Sequence, residues 1–68
     1  MSQAYDTFMA GAADARRLAA ECLSDAKTAT ASEALRLIAE HDRHIERVED
    51  YEMRASWYAP KIKLEIAA

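Results

Sequence analysis

From Tyr5 onward, apolar or small residues recur in alternating steps of three and four: Tyr5, Phe8, Ala12, Ala15, Ala19, Cys22 and Ala26. Such steps return to one face of a 3.6-residue helix, whereas a half-buried strand would need steps of two. Met9, Leu18 and Leu23 widen the stripe, and Ser2 is a candidate N-cap. The spacing predicts a helix over about residues 2–27. Gly11 opposes it by roughly 1 kcal/mol. A glycine inside a helix marks either a close approach by another part of the chain or a tolerated cost.

The segment Lys27-Thr-Ala-Thr-Ala-Ser32 interrupts the pattern. Thr30 followed by Glu33 reads as a capping box, with Ser32 as an alternative cap. A second helical pattern then runs over about 31–58, with a seam at Ala34, Ile38, His41, Ile45, Val48, Glu52 and Ala55. Leu35, Leu37 and Tyr51 flank that seam. Pro60 stops the helix, because the residue before a proline resists the helical region. A short break between two long helices favours an antiparallel hairpin. Folded together, the seams pair in layers: Cys22 with Ile38, Ala19 with His41, Ala15 with Ile45, Ala12 with Val48, Phe8 with Glu52. Most layers set a small side chain against a large one, which lets helices approach and still fill space.

The fold expected is all-α: a helical hairpin over residues 1–59 with a tail over 60–68. Of the 35 residues counted as hydrophobic, 16 are alanine, so the bulky apolar surface rests on few side chains. A domain this short buries only about 60% of its unfolded surface. One cysteine excludes an intramolecular disulfide. The stability has to come from elsewhere, and pairing of two hairpins into a four-helix homodimer is the simplest source. The residues expected in the hairpin core or dimer contact are Phe8, Ala12, Ala15, Leu18, Ala19, Cys22, Leu35, Ile38, His41, Ile45 and Val48.

In the tail, Ile62, Leu64 and Ile66 alternate with Lys61, Lys63 and Glu65. Period two argues for a strand that needs a partner edge, while a short helix opened by Pro60 competes with it.

Composition excludes several classes. A net charge of −3, with the acids interleaved among arginines in the middle third, argues against binding of free duplex DNA. One Gly and one Pro in 68 residues argue against disorder. No run approaches the length of a membrane span. The first residues lack a basic start followed by an apolar run, and with the lone thiol this suggests a reducing cytoplasm.

Candidate chemistry is sparse. Glu40, His41 and His44 form the densest run of potential metal ligands. The Glu-x-x-His signature of carboxylate-bridged bundles is absent, since Ile38 precedes His41 by three and His41 precedes His44 by three. The expectation is therefore no metal and no cofactor, with a metal- or pH-responsive bundle at His41 and His44 as an alternative. Cys22 falls on the seam, where a thiol is structural rather than nucleophilic. No phosphate loop or triad order occurs, and no enzymatic activity is expected. Tyr51, Arg54, Trp57 and Tyr58 gather at the end away from the loop, with Tyr5 and Phe8 beside them. Trp, Tyr and Arg dominate binding hot spots. Together with Ile62, Leu64 and Ile66 they form the expected contact surface for a larger protein. The size is that of bacterial or phage regulators, inhibitors and accessory subunits. A structured-RNA-binding dimer using the arginines is a further alternative, weakened by the interleaved acids.

Overall fold

The computed structural model describes residues 3–59 of the chain. It contains α1, Gln3–Ala26, and α2, Ala31–Ser56, packed as a helical hairpin. No strand occurs among the described residues. The proposed cap at Ser2 and the tail with Ile62, Leu64 and Ile66 lie outside them. No helix among the described residues is long and apolar enough to cross a membrane.

Both helices stop where local chemistry requires it. The α1 ladder tightens at its end: the amides of Lys27, Thr28 and Ala29 donate to the carbonyls of Ser24, Asp25 and Ala26, each three residues back. These bonds serve carbonyls that the helix end would otherwise leave unpaired. Thr30 then caps α2 as its sequence suggests. It is extended at φ −66°, ψ 164°, and its hydroxyl accepts from the Glu33 amide at 3.3 Å. The regular helix ends at Ser56, two residues before the expected Tyr58. Trp57 and Tyr58 form a turn, their amides donating to Arg54 and Ala55 at 3.2 and 2.9 Å.

The α1 seam is as expected, with Ala12, Ala15, Ala19 and Cys22 all buried. The α2 seam is as expected only in part, and the difference bears on function. Val48 and Ala55 are buried as expected, but Ile38 is 43% exposed while Leu37 is half-buried. Leu35 stands out further, at 70% exposure. His44 is drawn in beside His41, both half-buried, and Ile45 lies half-buried at the margin. Tyr51, not Glu52, covers the core made by Ala12, Ala15 and Val48. The working seam is therefore Ala34, Leu37, His41, His44, Val48, Tyr51 and Ala55: it keeps Ala34, His41, Val48 and Ala55 of the expected row and exchanges Ile38, Ile45 and Glu52 for their preceding neighbours.

Two features explain the turn. A Cβ placed on Gly11 would lie 2.9 Å from the Tyr51 ring, so the glycine leaves the notch that the ring fills. Glu52 meanwhile moves to the edge and accepts a hydrogen bond from the Arg16 guanidinium. The expected row would have pressed that carboxylate into an apolar layer opposite Phe8, where an unpaired charge is costly.

Candidate functional site

The aromatic end is built from both helices. Phe8 lies on the inner face of α1, 6.4 Å from the Tyr51 ring centroid and 5.9 Å from that of Tyr58. The Phe8–Tyr58 pair is near-parallel at 24° and the Phe8–Tyr51 pair is tilted at 42°, both within the range where aromatic pairs attract. Tyr58 reaches Phe8 because the turn after Ser56 folds it back over the end of the hairpin. Trp57 is 67% exposed; Tyr58 keeps 45% of its surface in solvent and Met53 is also exposed. The end therefore divides into a small closing core of Phe8 and Tyr51 and an exposed rim of Trp57, Tyr58 and Met53.

Beside it runs an open groove of about 520 Å³ lined by Phe8, Arg47, Asp50, Tyr51 and Arg54. Arg54 Nε donates to Asp50 Oδ2 at 3.0 Å, an (i, i+4) pair that holds the guanidinium along the groove wall. The structure thus brings Tyr51, Arg54 and Tyr58 to one end, as the sequence implied. It adds Arg47, Asp50 and Met53, which the sequence reading passed over. The steps 47, 50 and 54 put the two arginines and the acid on one helical row, and that was the available signal.

A second, smaller groove of about 210 Å³ is lined by Glu40, Arg43, His44 and Arg47. His44 Nδ1 is buried and has no hydrogen-bond partner among the described residues. His41 turns instead to its neighbour, with Nδ1 3.0 Å from Asp42 Oδ1. Glu40, His41 and His44 are not brought together as a ligand set, and no cluster of three His, Cys, Asp or Glu side chains suited to a metal ion occurs among the described residues. Cys22 is buried on the seam. Burial pushes its thiol up from the ordinary cysteine range, and the charges of Glu40, Asp25 and Glu21 push the same way. That environment suppresses the thiolate a nucleophile would need.

The charged surface is unevenly neutralised. Arg17 is paired with Asp14 and with Glu21, the latter at 3.1 Å, and its guanidinium is held above its usual value chiefly by Asp14. Arg16 and Arg54 are paired as described. Arg36, Arg43 and Arg47 enter no ion pair among the described residues.

No family model, no curated protein and no solved structure matches the chain.

Proposed function

We propose that this chain is a small non-enzymatic interaction module. In this reading it self-associates into a four-helix bundle in the cytoplasm and docks a larger protein through its aromatic end and the adjoining tail. The observation that carries the reading is the exposure of Trp57 at 67%, beside Tyr58 and Met53, on a chain with few bulky apolar side chains. A large aromatic left in water costs solubility and contributes little to the hairpin, so a partner surface is its natural use. The rim combines that apolar area with the Arg47 and Arg54 guanidiniums in the adjacent groove, the mixture typical of the centre of a protein interface. The buried position and raised pKa of Cys22 support the non-enzymatic part of the proposal.

The test is affinity capture with the full chain, Trp57→Ala, and a chain lacking residues 60–68. The proposal expects a specific captured protein to be lost with Trp57→Ala and weakened by the truncation. Retention of every captured protein by both variants means the docking surface lies elsewhere.

One observation favours a second reading, a hairpin dimer that binds structured RNA. Arg36, Arg43 and Arg47 are spaced along one side of α2 and lack ion-pair partners among the described residues. Such binding would weaken steeply with salt. Absence of any salt-sensitive association with RNA removes it.

A further inference from the structure

The turned α2 seam leaves the two flanks of the hairpin unlike each other. The Arg16–Glu52 ion pair crosses one flank and so marks the rows that border it. One heptad from Arg16 in either direction lie Met9 and Leu23; one and two heptads before Glu52 lie Ile45 and Ile38. Leu35 stands one turn before Ile38 on the outer side. Leu35, Ile38 and Leu23 are exposed by 70%, 43% and 43%. The other flank is marked by Tyr51 over Gly11 and carries both charged grooves, with Arg43, Arg47, Asp50 and Arg54. One side of the hairpin thus carries the exposed aliphatic side chains, interspersed with charges, and the other the two charged grooves.

We propose that the aliphatic flank is covered by a second copy of this chain, with α2 of each copy lying on α1 of the other. This deepens the self-association in the proposed function and rests on it. Three observations favour that occupant and that pairing. The hairpin places two histidines in its seam while leaving Leu35 and Ile38 in water, an arrangement that wastes the strongest apolar side chains of α2 unless another layer covers them. Val48 is the largest side chain in the buried core among the described residues, so the hairpin's own interior is too slight for a stable isolated domain. The two helices also present complementary surfaces on this flank. The outer row of α1 carries exposed Ala13 and Ala20, shallow positions into which Leu35 and Ile38 of another copy fit as knobs. Arg16 there is already paired with Glu52 of its own chain, which leaves Lys27, just beyond the end of α1, and the acid Asp6. The charged positions of α2, apart from the paired Glu52, are Asp42 and Glu49 with no base. Setting α2 on α1 joins large side chains with small ones and keeps the acids of α2 away from one another. Setting α2 on α2 would oppose acid to acid.

The experiment is sedimentation equilibrium of the full chain across a wide concentration range, with circular dichroism as a check on folding. The wild type is expected at twice the 7.6 kDa chain mass. Ile38→Glu is expected to shift the dissociation constant by about tenfold or more, as loss of a central interface side chain does. Arg43→Glu, on the charged flank, is expected to leave it unchanged. If Ile38→Glu loses helicity, the milder Leu35→Ala/Ile38→Ala variant is used, with the same expected weakening. A wild type that stays monomeric throughout overturns self-association altogether. A dimer that survives these substitutions, or one equally weakened by Arg43→Glu, overturns the assignment of the flank while leaving self-association standing.

Discussion

Gly11 costs helix propensity in the middle of a 24-residue helix, and the Tyr51 ring explains why the cost is accepted. A methyl group at this position would stand 2.9 Å from ring carbons, closer than side chains pack. The ring is not free to yield, since it lies against Phe8 and covers Ala12, Ala15 and Val48. Replacing glycine by alanine in a helix interior normally stabilises by about 1 kcal/mol. Here Gly11→Ala is expected to give no gain, or a net loss from overpacking, in the wild type. In a Tyr51→Ala background the gain of about 1 kcal/mol should return. Urea denaturation of the four proteins in that cycle measures the coupling. The sequence could show that Gly11 was out of place in a helix, but not which of its two readings held. The answer depends on a residue 40 positions away, which only the folded hairpin brings over it.

The two helices differ in how plainly their inner faces are written. Along α1 the buried line is Ala12, Ala15, Ala19 and Cys22, and no competing row has the same unbroken small character. Along α2 two adjacent rows both qualify: Ile38, Ile45 and Glu52, or Leu37, His44 and Tyr51. Hydropathy favours the first row because it holds two isoleucines. The second is chosen in the fold because it contains no carboxylate and because Tyr51 has a notch to enter. The absence of any charged residue from Leu37, His44 and Tyr51 was visible in the sequence and is the signal that would have identified the seam. The choice leaves His44 Nδ1 buried and without a hydrogen-bond partner among the described residues. An unsatisfied buried polar atom costs about 1–3 kcal/mol. His44→Leu removes that atom and adds apolar volume to the seam, so it should stabilise α2 against α1 by about 1 kcal/mol or more. Chemical denaturation with far-ultraviolet circular dichroism checks this; a clear loss of stability would mean that His44 has a partner that the hairpin alone does not supply.

As a whole molecule the chain is a thin object, two helices sharing a seam made largely of alanine. Alanine lets the helices approach closely but removes little surface from water for each residue ordered. The proposed second copy would cover Leu23, Leu35 and Ile38, each worth about 1.5–3 kcal/mol if fully transferred from water and less here because each begins partly covered. Stability coupled to assembly depends on protein concentration by mass action. The melting temperature is therefore expected to rise steadily with concentration, and in Ile38→Glu to be lower at each concentration. Differential scanning calorimetry over a series of dilutions provides the measurement. A flat series in the wild type would show that the hairpin holds itself together.

Helix content, the reversal after Ala26, the Thr30 cap and the inner face of α1 are set by local spacing, propensity and capping chemistry, which act over a few residues and can be read without a structure. The gathering of aromatics at one end follows from those elements and a hairpin. The inward face of α2, the role of Gly11, the placing of Glu52 beside Arg16 and the division into a flank with exposed aliphatic side chains and a flank with the charged grooves were decided only in the tertiary structure. Each depends on which side chains α1 offers across the seam. On an amphipathic helix with two nearly equal rows flanking one shared row, a small turn of the inner face costs little locally and is settled by steric fit and charge between distant positions.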